Sequence, residues 1–294
     1  MTSELSRLLD AGTAFDAEYG ASTPNHRSTA LSALARLGAD DTRLVQWAKR
    51  YEAQLHPAPA AEPWPPGQAW PPRLGDPRAW PAYRSLFSEW IDNESLGDLL
   101  IPVLPQLMQG CAGAAFHGLN RLACAVQSAR RDELVDALAY WACRWWPVSV
   151  SVSVSAAAAA AAGAPSRTPA GLSLQTMATR AAEAYARGGH RTALQLVNSA
   201  QAMRVLLPLL ADEDGVADAA LAAYRRAFDC AWAAVPLRLG ATPVALPWAT
   251  LSTRAVANDD ADILELVAAC CDEHAAYGGA VWQQAATRAV ASST

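Results

Sequence analysis

Residues 112–129 read AGAAFHGLNRLACAVQSA, a run of small and apolar residues with few polar interruptions, among them His117, Asn120 and Arg121. It contains no proline and is too apolar for a solvated surface helix, so it predicts a buried central helix. Residues 131 to 145 follow almost at once and predict its antiparallel partner. A pair of buried helices at the middle of the chain sets the fold class, because few strand signals lie on either side.

Upstream, Thr23-Pro24-Asn25 marks a helix start with Asn25 as the candidate N-cap. Leu31, Leu34, Ala35 and Leu37 then recur at three- and four-residue spacing until Gly38. A second amphipathic helix is expected from Asp41 to Leu55, with Leu44, Trp47, Ala48 and Tyr51 on one face. Residues 57–81 hold nine prolines together with Trp64, Trp70 and Trp80, which predicts a long wrapped loop without a backbone ladder. Helices are expected again over 80–93 and over 96–108, the latter interrupted near Pro102 and Pro105, and further on over 172–187, 192–210, 216–235 and 260–277. The expectation is an all-α, multi-helix single domain spanning 1–294.

Composition narrows the function. The 294 residues carry 23 Lys and Arg against 28 Asp and Glu, a formal charge of -5 with the arginines scattered, so nucleic-acid binding is disfavoured. Only 17% of residues are charged, against roughly 25% for soluble domains, so buried helix faces should outnumber solvated ones. Cys111, Cys124, Cys143, Cys230, Cys270 and Cys271 form no CxxC pair and read as buried free thiols in a reducing compartment. No apolar leader opens the chain, and a cytoplasmic location is expected. Residues 147–170 carry alternating Val and Ser followed by seven alanines. That stretch is too weakly apolar for a membrane span and reads as a low-complexity connector.

Local motifs exclude several chemistries. No glycine-rich turn follows a strand, so neither a dinucleotide-binding unit nor a P-loop is supported, and HExxH, calcium-loop and Ser-His-Asp patterns are absent. Of five histidines, His56, His190 and His274 sit beside loops or helix ends and read as surface residues. His26 by itself reads equally as a helix-start residue, and His117 as a hydrogen-bonded core histidine. Asp262 and Glu265 share one helix face through their three-residue spacing, and the bland reading is that they favour the positive end of that helix. Trp64, Trp70 and Trp80 offer flat apolar faces to a polycyclic ligand, and the bland reading, which is favoured, is that they staple the loop onto the helices.

Several segments, taken in order, resemble the questin oxidase family. They are Asn25-His26 with Thr29 to Gly38, then Ala114-Ala115-Phe116-His117-Gly118-Leu119 with Arg121, then Glu133 to Ala142, then Ala202-Met203-Arg204 through Pro208, and Ala268-Ala269-Cys270. The resemblance implies oxygen-using enzymes that oxidise or open anthraquinone-like rings in aromatic polyketide pathways. It also implies a mononuclear non-haem iron held by histidines and a carbamylated lysine, while a requirement for NADPH stays open. His26 and His117 fall at two of the family's histidine positions. Gln195 and Gln201 stand where further histidines are expected, and Asp262 and Glu265 replace a histidine and the lysine. The implied site is therefore His26, His117, Asp262 and Glu265 around Fe(II), with Glu265 standing in for the carbamate oxygen and Gln195, Gln201 and Trp70 contacting a polycyclic aromatic ligand. The alternatives are a metal-free cyclase, dehydratase or isomerase working by acid/base chemistry in the same pocket, and a non-catalytic ligand-binding protein.

Overall fold

The computed structural model describes residues 3–147, 172–210, 215–236 and 240–291; the connector expected over 147–170 lies almost wholly outside them. Thirteen α-helices are present among the described residues, with one two-stranded antiparallel ribbon. In chain order the helices are α1 (Ser3–Gly12), α2 (Arg27–Arg36), α3 (Asp41–Glu52), α4 (Trp80–Asn93), α5 (Leu96–Met108), α6 (His117–Ser128) and α7 (Arg131–Cys143). They continue with α8 (Leu174–Gly188), α9 (Arg191–Leu206), α10 (Val216–Trp232), α11 (Trp248–Val256), α12 (Ala261–Tyr277) and α13 (Val281–Ala291). The fold is all-α.

At its centre α2, α6, α9 and α12 pack each on the next into a closed ring. The four run in the same direction. His26, at the start of α2, meets Glu265 on the first turns of α12, and Arg36 at its end meets Asp272 further along α12. Gln195 and Gln201 of α9 meet Asp262 and Asp272 in the same order. Parallel neighbours cannot be joined by short turns, so the chain returns through an outer layer between successive ring helices. α7 lies behind α6 and against α4, α8 behind α9, and α13 behind both α8 and α12.

Small residues bring these layers close. A Cβ on Gly118 would sit 2.8 Å from the Trp141 Cβ and 2.9 Å from its Cα, so the α6–α7 contact requires glycine there. Ser173 and Asp260 cap α8 and α12 by accepting backbone N–H bonds, and Gly189 ends α8 at φ 64°. The helix expected from residue 112 begins only at His117. Asn25 is not the residue at which α2 starts; His26 holds that position, while the Asn25 Oδ1 still accepts the Arg27 N–H at 2.9 Å. α5 passes through Pro102 and Pro105 without a break. Both prolines lie off its buried face, Pro102 exposed and Pro105 half-buried, while Leu99, Leu100, Val103, Leu104 and Leu107 are buried.

Across 57–81 the chain makes two short 3₁₀ turns and is fastened by its aromatics. Trp64 packs on Tyr83 at 5.0 Å between ring centroids, and Trp70 on Phe87 at 6.0 Å. All six cysteines are free, yet only Cys111, Cys143 and Cys270 are buried; Cys271 is exposed, because it faces away from the ring on α12. Among the described residues no helix is long and apolar enough to cross a membrane.

Candidate functional site

The starts of the four ring helices meet at one point, and there the sequence places its imidazoles and carboxylates. His26 is delivered by the small ribbon β1 (Glu18–Tyr19) and β2 (Thr23–Pro24), and its backbone N–H donates to the Tyr51 hydroxyl at 2.9 Å. The ring Nδ1 lies 2.9 Å from Glu265 Oε1, and the Thr29 hydroxyl donates to that same oxygen. Burial disfavours the imidazolium, but the Glu265 charge and hydrogen bond, helped by Asp262, outweigh it and raise the His26 pKa. Glu265 is moved the other way. Burial would raise its pKa, and His26 together with the Thr29 hydrogen bond holds it below the usual carboxylate value.

His117 opens α6 after three consecutive residues with left-handed backbone, Ala114 at φ 46°, Ala115 at 54° and Phe116 at 68°. Alanine and phenylalanine adopt that region at a cost of roughly 1–2 kcal/mol each, so the surrounding packing must impose it. Gly113 shows how tightly: a Cβ there would lie 1.7 Å from the Arg144 carbonyl oxygen. The result is that the Ala114 carbonyl turns back to accept from His117 Nδ1. With the proton fixed on Nδ1, the Nε2 lone pair is left bare, and that atom is buried with no hydrogen-bond partner. Burial, and next the charge on His26, lower the His117 pKa to about 4. The two rings stand edge to face with centroids 4.8 Å apart.

Asp262 completes the group. Its Oδ2 pairs with Arg191 at 2.9 Å and its Oδ1 accepts from Gln195 Nε2 at 3.4 Å. Burial raises its pKa, His26 opposing. The candidate ligand atoms of His26, His117 and Asp262 all lie within 4.8 Å of one another. Glu265 stands outside that trio, occupied with His26 and Thr29. The shared helix face foreseen for Asp262 and Glu265 is present, and the two carboxylates take different places in it: one beside the imidazoles, one behind.

A family model described as questin oxidase-like matches residues 23–193. The chain belongs to the questin oxidase-like family. Membership places it with oxidoreductases of natural-product pathways. The match covers α2, the His117 turn, α6, α7 and α8; the segments at 202–208 and 268–270, and both carboxylates of α12, lie beyond it. No curated protein matches the chain.

In this questin oxidase-like chain the remaining expected contacts are distributed unevenly. Gln195 reaches the site through Asp262 and keeps a buried, unpartnered Oε1. Gln201 sits two turns along α9 and donates to Asp272 at 2.9 Å. Trp70 joins Phe87 and Trp90 in the aromatic layer on α4, and among the described residues no ring contact or hydrogen bond links it to the histidines. Sequence reasoning passed over Thr29, Tyr51 and Arg191, which hold Glu265, His26 and Asp262 in place. Thr29 lies three residues from His26, and Arg191 four from Gln195. Helical spacing therefore carried a signal for both.

Proposed function

We propose that the protein is an oxygen-dependent oxidoreductase that oxidises or cleaves a polycyclic aromatic compound, with Fe(II) held by His26, His117 and Asp262. The observation that carries this is the buried Nε2 of His117, stripped of any partner by a tautomer fixed at Ala114 and facing a second imidazole and a carboxylate. Two histidines and one carboxylate with open positions suit non-haem Fe(II). Ligand bonds of about 2.0–2.2 Å would put neighbouring donor atoms about 3–3.4 Å apart, so a pair spread over as much as 4.8 Å must close by more than an ångström. When bound, the iron supplies the one-electron and Lewis-acid chemistry that oxygen activation needs.

The chain's own residues do the rest. Glu265 accepts a hydrogen bond from His26 Nδ1–H, which orients the ring and would leave its Nε2 free to coordinate; the Ala114 carbonyl does the same for His117. Arg191 and Gln195 steady Asp262, one on each carboxylate oxygen. Burial of His26 and of the His117 Nε2 excludes water from the centre.

Protein purified without oxygen and reconstituted with Fe(II) should hold close to one iron per chain by elemental analysis, and His117→Ala should fall to background. Iron at background in the wild type, with turnover of a pathway intermediate undiminished in strong chelator, overturns the reading. One observation favours a metal-free alternative: the two adjacent imidazoles are pushed apart, His26 upward beside Glu265 and His117 down to about 4, which sets a proton donor against a proton acceptor. That alternative predicts turnover that survives chelation and is lost in both Glu265→Gln and His117→Ala.

A further inference from the structure

Along the axis of the four-helix ring the packing is incomplete. A cavity of about 50 Å³ begins at Thr29 and Glu265 and is walled further along by Asn120, Asn198 and Gln201. Neither His26 nor His117 is among the residues that line it. It adjoins a recess of about 420 Å³ between α1, α2 and α6, and Arg36, Cys124 and Gln127 line both spaces, so the inner cavity communicates with the outer one.

The inner cavity is polar in a way the protein alone does not satisfy. Asn120 Nδ2 and Oδ1 are buried without a partner, and so is Asn198 Oδ1, on a residue only 6% exposed. Buried amide atoms left this way are costly and rare. The set is mixed. Asn120 Nδ2 brings two N–H groups and the Arg36 guanidinium more, while the two asparagine oxygens and the Glu265 carboxylate accept. Water donates two hydrogen bonds and accepts two, so it serves both halves of such a set. Size points the same way: at about 10–15 Å³ for each water, about 50 Å³ takes three or four of them and no ring compound.

We infer that the ring axis holds a chain of internal waters running from Glu265 past Asn198 and Asn120 to Arg36 and Gln127, and that protons of the buried His26–Glu265 pair exchange with solvent along it. The inference goes beyond the iron reading and stands without it. Each water in the chain takes one proton as it gives up another, so one O–H bond forms for each that breaks. At the inner end Glu265 carries the departing and the arriving proton in turn, the His26 Nδ1–H bond is remade, and no net charge stays behind. The route reaches the pair from within the ring and does not pass through the space that His26, His117 and Asp262 share. Asn120 and Asn198 are positioning residues for the water.

Two measurements on the full chain in excess chelator, labelled with ¹⁵N-histidine, test this without iron or turnover. The first is exchange of the His26 Nδ1–H with water, read by nuclear magnetic resonance against the His117 Nδ1–H, which is bonded to the Ala114 carbonyl and lies off the route. In Asn120→Leu/Asn198→Leu, exchange at His26 should slow by at least about tenfold while that at His117 stays within about twofold, which also shows that the fold is kept. Asn198→Ser, which returns a hydroxyl to the cavity wall, should stay within about threefold of the wild type. The second is the number of long-lived internal waters from ¹⁷O relaxation dispersion, which should be lower by about three in the double leucine variant. Exchange at His26 that does not slow, equal slowing at both histidines, Asn198→Ser as slow as the double leucine variant, or an unchanged water count overturns the inference. Each of these outcomes leaves the iron reading standing.

Discussion

The parallel ring of α2, α6, α9 and α12 and the aromatic layer where the proline-rich loop meets α4 are built from opposite materials. Along the ring axis the protein buries imidazoles, carboxylates and amides and leaves several of their atoms unpaired. Against α4 it buries Tyr83 and Phe87 completely, in a chain of ring contacts that runs from Trp64 through Tyr83 and Phe87 to Trp70 and Trp90. Both regions offered aromatic or polar side chains for ligand contact when read as sequence. The aromatic side chains satisfy one another by packing, whereas the orphaned polar atoms of the ring are left unsatisfied by the protein. The loop tryptophans fasten the loop to α4, and the proposed chemistry falls to the ring, at some expense of stability.

The largest effect expected from this division is in the aromatic layer. Phe87→Ala removes a fully buried ring that contacts Tyr83, Trp70 and Trp90, and should lower stability by about 3–5 kcal/mol in chemical denaturation. Iron uptake by the fraction that remains folded should be unchanged. A Phe87→Ala protein that folds normally but no longer takes up iron erases the separation between the two regions.

Next in size is Glu265→Gln. The amide oxygen still accepts from His26 and Thr29, so the fold is kept, but the charge that orients and polarises His26 is gone. Partners of this kind behind a ligating histidine are worth about 10–100-fold in metal affinity. Iron titration should show a loss in that range with little change in thermal midpoint. Complete loss of binding, equal to that of His117→Ala, would place Glu265 among the ligands and move Asp262 behind it.

Legibility from sequence followed the range of the interactions. Most helices were readable because their periodicity is local, and His26 and His117 because each sits inside a recognisable segment. Three helices were not anticipated. α1 is short and charged, α11 has nine residues behind Pro247, and α13 is alanine-rich with a weak apolar stripe. Asp262 and Glu265 were found together and not told apart, because i and i+3 places both on one face without saying which one reaches the imidazoles. The buried, unpartnered amide atoms of Asn120 and Asn198 became visible only when four helices, spread from residue 27 to residue 277, were set side by side in register. No single-helix pattern holds that information.

The smallest predicted effect tests the one place where local propensity points the wrong way. Ala114-Ala115-Phe116 should extend α6 backward, since alanine is the best helix former, yet all three are left-handed. Packing wins because Gly113 lies hard against the Arg144 carbonyl, and the chain must turn sharply to bring His117 under Ala114. Ala115 is exposed, so its side chain contributes little there beyond the conformational cost. Ala115→Gly relieves roughly 1–2 kcal/mol of left-handed strain while giving back about 0.4–1 kcal/mol through a freer unfolded chain. The net should be a stabilisation of about 0.5 kcal/mol, seen as a small rise in thermal midpoint with iron affinity unaltered. A fall in the midpoint means that residue 115 is not left-handed in solution. The tautomer of His117, which depends on that turn, then loses its support.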